Sequence, residues 1–423
     1  MNLQSGDSGR QPYFRRRPLV EAGFAGTMII YWLLLYVSPW SGTAERGSAI
    51  YIVLVAPVCI FAFCGAVLIL SRKRLPTRVL LLAIYMVVVC GVAVTRADVA
   101  TVTSTLLTMI TVSVLATFRL TPPPTLLNIL FLSSIPLSVA AYCADFSIYS
   151  VVPGFSHDEE LPWRISLFPF VAESAFFSAV VLICNILHKN LKWRWLCLPL
   201  SAYFLFFSLL RSAVSGVVLA LIYYVVVHRL WSWRPVMKAV YLIAACTVFL
   251  ITLVASQVML LLPALNSTFL NVYLFRSEGG IENEAAIANS IFRTWIWDEH
   301  FRLAGENPIF GIGSFDFANF APSEIVAKSG SGSESFLTGL YARVGLVSIL
   351  FVAFLVVSIW KGVIADRHEQ PMMGLLLFVA MLTYGSFIVP YNFMFLVIVA
   401  YVCSAPPSER ALGGLRIFAK RSR

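Results

Sequence analysis

The stretch VAESAFFSAVVLICNILHKNLKWRW, residues 171–195, decides what kind of protein this is. Its apolar part carries one charged side chain, Glu173, and runs on without the every-other alternation of a half-buried strand. It then stops in the basic segment HKNLKWRW, residues 188–195. An apolar run of about 20 residues that begins near 166 and ends at Lys and Arg reads as a helix crossing a bilayer toward the cytoplasm.

The rest of the chain repeats that pattern. Of 423 residues, 59% are hydrophobic and only 12% charged, with a mean hydropathy of +0.84. A soluble domain carries about a quarter charged residues. Continuous apolar runs recur from end to end, and only helices or closed barrels satisfy their backbone in hydrocarbon. The formal charge of +10 does not point to nucleic acid. It sits in short connectors such as SRKRLPTR (71–78) and HRLWSWRPVMK (228–238) and in the tail AKRSR (419–423), the positive-inside signature.

The expected fold is therefore all-α: a polytopic membrane protein of about 12 transmembrane helices with both termini cytoplasmic. The spans fall near 20–38, 50–70, 79–95, 100–117, 125–143, 166–187, 196–210, 213–227, 239–258, 335–360, 371–389 and 391–404. The hairpins broken at Arg211 and Pro390 are short enough to be read also as kinked single helices. Twelve spans put 22 of the 31 Lys and Arg on the inside and 16 of the 21 acidic residues outside. Arg15, Arg16 and Arg17 precede a first span with no small-residue cleavage site, so that span is expected to be retained.

The division that follows is a cytoplasmic tail (1–19), spans one to nine (20–258), a large outward loop between spans 9 and 10 (259–334), spans ten to twelve (335–404) and a basic tail (405–423). A second outward loop, 144–165, contains SHDEELPWR. Seven of the eight cysteines lie in apolar runs and Cys143 at an edge, without CxxC pairs or neighbouring histidines. They read as packing residues, so no disulfide framework, metal site or cofactor is expected.

Within the large loop, IENEAAIANSIFRTWIWDEHFRLAG (281–305) reads as an amphipathic helix. Ile287, Ile291, Trp295 and Phe301 form its apolar face, Arg293 lies beside that face and Gly305 stands at its end. ENPIFGIGSFDFANF (306–320) follows, with an Asn-Pro turn and Gly311 and Gly313. Without a strand or a P-loop lysine, this Gly-x-Gly reads as a turn that presses the loop onto the bundle rather than as a phosphate cradle.

Charges at a hydrocarbon boundary are costly and mark function or a partner. Here they are Arg211, Arg276, Arg293 and Arg343, with Glu334 and Glu173. One reading pairs them structurally, Arg343 with Glu173 for instance. The other converges the four arginines on a diphosphate, which guanidinium groups bind in bidentate fashion.

Three segments, in this order, resemble the O-antigen ligase/polymerase superfamily, whose Wzy-type members act on undecaprenyl-diphosphate-linked glycans. They are LLRSAVSG (209–216), RTWIWDEHFRLAGENPIFGIG (293–313) and SESFLTGLYARVG (333–345). The motif likeness covers roughly the C-terminal half, and the likeness in topology covers the whole chain. It implies a GT-C-like bundle and a glycosyltransferase of the bacterial inner membrane. Ligases of the superfamily open the last motif with His-Asn, where this chain has Ser333-Glu334-Ser335. That departure favours a polymerase of repeat units over a ligase to lipid A-core.

On this resemblance Arg211, Arg276, Arg293 and Arg343 hold the diphosphate. Glu334 is the general base with Glu173 in reserve, and His300 and His157 are weaker candidates. The expected partners are lipid-linked oligosaccharides as donor and acceptor, the bilayer and a chain-length regulator, with no metal and no nucleic acid. The rival class is a flippase or other transporter. Transporters concentrate charge near the bilayer midplane, whereas here it gathers at the rim.

Overall fold

The structure, a computed structural model, describes residues 13–37, 49–70, 76–157, 163–229, 296–313, 335–365, 367–383 and 393–404, with a few helical residues between 240 and 247. Among these the regular elements are helices, and the β-structure is a single bridge between Ser150 and Ile165. The helices are α1 (Tyr13–Val37), α2 (Ala49–Leu70), α3 (Thr77–Thr95), α4 (Val99–Phe118), α5 (Pro124–Cys143), α6 (Val171–Leu187), α7 (Arg194–Phe207) and α8 (Arg211–Arg229). A helix at 296–306, here α9, precedes α10 (Phe336–Val344), α11 (Ser348–Ile364), α12 (Glu369–Thr383) and α13 (Phe393–Cys403).

Four stretches are long and apolar enough to cross a membrane: Arg78–Thr95, Thr101–Phe118, Pro124–Cys143 and Phe336–Ile364. At about 1.5 Å per residue, 18–20 residues cover the ~30 Å hydrocarbon core. Seven shorter apolar helices accompany them among the described residues. Most of the span expected at 239–258, most of the large loop and the turn at Pro390 lie outside the described residues.

The packing is that of a bundle with helices buried at its centre. Every residue of α13 is buried, as is nearly all of α12 and most of α6. A helix apolar on all sides has no face for water and goes to the interior. α12 lies along α8, α6 against α7, and α4 against both α2 and α3. At the periphery the large apolar side chains point outward, among them Phe63 and Leu70 of α2 and Val87 and Val94 of α3. Each would cost about 25 cal/mol per Å² in water, a penalty that a surrounding bilayer removes.

Polar side chains tie the helices where the hydrophobic effect cannot. Asn128 of α5 and Asn185 of α6, both fully buried, exchange amide hydrogen bonds at 3.0 and 2.8 Å. Trp32 of α1 donates to Ser134 of α5 at 2.9 Å. Arg78, expected as one more inward-facing charge, is instead 4% exposed. It donates to the carbonyls of Cys403 at 2.7 Å and Ala116 at 3.0 Å, so one guanidinium caps the last turns of α13 and α4.

The expected continuous span at 335–360 is present as two helices. The chain breaks at Gly345, which has φ of 61°, and passes through a short 3₁₀ turn before α11 begins. What fills that break is the site described next.

Candidate functional site

A break inside an apolar span leaves carbonyls at the end of one helix and N–H groups at the start of the next without partners. In a membrane each such group costs several kcal/mol. The segment Pro308–Gly313 supplies four partners at this break. Ile312 and Gly313 donate to the carbonyls of Ala342 and Arg343 at 2.9 and 3.0 Å. Leu346 and Val347 donate to the carbonyls of Pro308 and Ile309 at 2.9 and 3.4 Å.

The two backbones meet so closely that only glycine fits at two points. A Cβ on Gly311 (φ 63°) would lie 2.3 Å from the Arg343 carbonyl carbon, and one on Gly345 would lie 2.5 Å from that of Ile309. Gly313 also has positive φ, 89°. Asn307 shapes the turn, its carbonyl accepting from the Gly311 N–H at 2.7 Å. The Gly-Ile-Gly motif is thus a plug in a broken helix.

The short connection between α3 and α4 holds the plug from the other side. Arg96 donates to the Gly311 carbonyl at 2.7 Å. Asp98 caps α4 through the Thr101 N–H at 3.0 Å, and its other carboxylate oxygen lies against Gly313. Arg96, Gly313, Arg343 and Val347 border one shallow pocket. Arg96 and Asp98 are site residues beyond the candidates named from the sequence. The signal was there in an Arg and an Asp flanking one residue between two spans, with Ala97 left-handed at φ 54°.

α9 lies on this assembly. Its buried face is Ile296, Glu299, His300, Leu303 and Ala304, spaced as one side of a helix. Phe301, expected on the apolar face, is 56% exposed and meets the Tyr341 ring at 6.1 Å. The position opposite the bundle falls to it because His300 occupies the inward one. The helix also continues past Gly305 to residue 306, ending where Pro308 cannot donate. Arg302 is engaged by Glu299 at 2.6 and 2.9 Å and by Glu306 at 3.1 Å, which makes it a surface pair and not an anion ligand.

His300 shares a 2.8 Å hydrogen bond between Nδ1 and the hydroxyl of Thr338. Thr338 belongs to the first turn of α10, capped by Ser335 through its N–H at 3.4 Å. Burial, and secondarily the charge of Arg343, push the imidazole down to about 3, so it stays neutral near pH 7. A neutral imidazole there orients a neighbour and adds no positive charge for a diphosphate.

Of the other candidates, Arg343 is in the last turn of α10 beside the plug, with its side chain exposed. Arg211 opens α8 directly after a sharp turn in which Leu209 is left-handed at φ 55°. Glu173 is in the first turn of α6. The loop before α6 approaches the Arg211 turn, since Ile165 donates to the Phe207 carbonyl at 3.1 Å. His157 stacks on Tyr142 at 4.8 Å in that loop, away from the plug. Arg276, Arg293 and Glu334 lie outside the described residues, Glu334 one position before the Ser335 cap.

Residues 196–336 match the O-antigen ligase family model. The match spans a third of the chain and supports the O-antigen ligase/polymerase superfamily, membrane enzymes of polysaccharide assembly. No curated protein matches the chain. The stretch shared with the O-antigen ligases runs from α7 through Arg211, α8, α9 and the plug to the first residue of α10. The matched region therefore holds Arg211, His300, Gly311 and Gly313, while Arg96, Asp98 and Arg343 reach the plug from outside it.

Proposed function

We propose that this protein is a membrane glycosyltransferase that polymerises undecaprenyl-diphosphate-linked repeat units into exopolysaccharide or O-antigen at the periplasmic face of the inner membrane. The observation that carries the reading is the O-antigen ligase family match across 196–336. In this reading the plug faces outward, the loop 259–334 covers it and both termini are cytoplasmic.

The donor is activated by its own diphosphate, so the chemistry needs no metal and inverts the anomeric carbon in a single displacement. Arg211, Arg276, Arg293 and Arg343 neutralise charge on the departing diphosphate. Removal of one such donor costs about 10²–10³ in rate. Glu334 takes the proton from the acceptor hydroxyl, a role worth about 10²–10⁴-fold, with Glu173 as the alternative base. The plug holds Arg343 in place, because its backbone binds the Arg343 carbonyl directly. A chain-length regulator is the expected protein partner.

A ligase to lipid A-core is the second reading, favoured by the description of the matched family itself. One experiment separates the two and tests the site. Glu334→Gln and Arg293→Ala are expressed in a deletion strain and surface polysaccharide is resolved by length. Single lipid-linked repeats without long chains are expected. Long chains held on the lipid carrier indicate the ligase instead, and full-length surface polymer from both variants removes the proposed site.

A further inference from the structure

The first part of the loop between α5 and α6, residues 144–157, is inside out. Phe155 is 65% exposed, Phe146 58% and Trp163 52%, with Ile148 and Val152 also outward. Over 144–157 the buried residues are serines, Ser147, Ser150 and Ser156, all below a tenth exposed, whereas the end of the loop sends Ile165, Leu167 and Phe168 into the core. A loop bathed in water shows the reverse, since apolar side chains gain by burial and hydroxyls lose nothing in solvent.

The buried hydroxyls have a common task, which is to satisfy the loop's own backbone. The Ser150 N–H donates to the Ser156 hydroxyl at 3.1 Å, and the Val152 N–H to the Ser150 hydroxyl at 3.1 Å. Ser156 in turn donates to the Arg164 carbonyl, and Tyr142 to that of Phe155. The backbone closes further through His157 to Ile148 at 2.8 Å and Ser166 to Ser150 at 3.2 Å. Tyr203 of α7 donates to the Val151 carbonyl at 3.2 Å. Irregular backbone is tolerated at membrane depth only where its polar groups are satisfied within the protein.

We infer that residues 146–157 and Trp163 of this loop lie in the outer-leaflet boundary of the bilayer, their exposed apolar side chains inserted among lipid acyl chains. The loop's position follows from continuity, since it leaves the membrane-crossing helix α5, whose Ile129 and Val139 already face outward. Trp163 beside Arg164 has the composition of a membrane interface, an aromatic ring at headgroup depth next to a cation. These residues thus extend the lipid-facing wall of the bundle. The loop also borders the Arg211 turn through the Ile165–Phe207 hydrogen bond. The inference does not depend on the glycosyltransferase reading.

The test replaces Phe155 with a photoreactive diazirine amino acid, leaving the native cysteines untouched. The full-length protein is irradiated in phosphatidylethanolamine–phosphatidylglycerol vesicles and its adducts are read by mass spectrometry. The same residue placed at the exposed, charged position Glu306 is the aqueous reference. Phospholipid adducts in excess of water adducts at 155, with the opposite ratio at 306, are expected. Water adducts dominating at 155 overturn the inference. So do cross-links from 155 to another segment of the chain or to a second copy, which show that protein rather than lipid covers the patch.

Discussion

Arg78 shows what one side chain can do in a bundle of this kind. Its guanidinium reaches the carbonyls of Cys403 and Ala116 and the hydroxyl of Ser358, joining α3 to α13, α4 and α11. Arg78→Met keeps the volume but strands two carbonyls, at about 1–3 kcal/mol for each buried group left unsatisfied. A clear drop in the thermal midpoint of the detergent-solubilised protein is expected, with Arg78→Lys between the two. An unchanged midpoint for the methionine variant would show that water replaces the guanidinium. His300 allows a second test at this scale. Its imidazole is held near 3 by burial against about 6.5 in the unfolded chain, so between those values the unfolded form binds more protons. Docking of α9 is complete above pH 6.5 and weakens as pH falls toward 3, by about 1.4 kcal/mol per unit. Proteolysis of the 296–313 region should rise from pH 7.5 to 5.5, and His300→Gln should flatten that dependence.

At the scale of the element, the interlock of the plug with the broken span is the decisive feature. The sequence marks Gly345 as a glycine ten residues into a span and Gly311 as part of a turn, but nothing local joins them. The structure places Gly345 against Ile309 and Gly311 against Arg343, each at positive φ. Gly345→Ala must shift backbone against backbone and strain its own φ, so a loss of more than about 2 kcal/mol is expected. It should lower both the thermal midpoint and the yield of surface polysaccharide. Arg96→Ala removes one hydrogen bond from the same plug and should cost less, about 1–2 kcal/mol. Equal effects from the two variants would mean that the glycine contact carries no special strain. The same element shows why Phe301 does not belong to the buried face of α9. Helical spacing admits Phe301, but only the partner surface decides that His300 turns inward to Thr338.

For the whole molecule, orientation is the property open to test. The asymmetry of Lys and Arg expects residues near 234 inside and residues near 290 outside. Fusions of alkaline phosphatase, active only outside, should be silent at 234 and active at 290. Activity at 234 would reverse the topology and place the plug on the inner face. The membrane-embedded helical bundle is legible in the sequence, but the break at Gly345 is not, because the run 335–360 reads as one continuous apolar span. Hydrocarbon demands long apolar helices, and the basic connectors carry the expected orientation, whereas Pro57, Pro136 and Pro199 lie inside unbroken helices. The demands of hydrocarbon and of charge are local or compositional requirements, readable one segment at a time. The tertiary structure alone decided which breaks face one another. The four hydrogen bonds between 308–313 and 342–347, the Arg96 contact and the burial of Arg78 each join residues far apart in the chain. Such partners are chosen by the free energy of leaving a polar group unpaired in an apolar interior, and no single segment carries the identity of its partner.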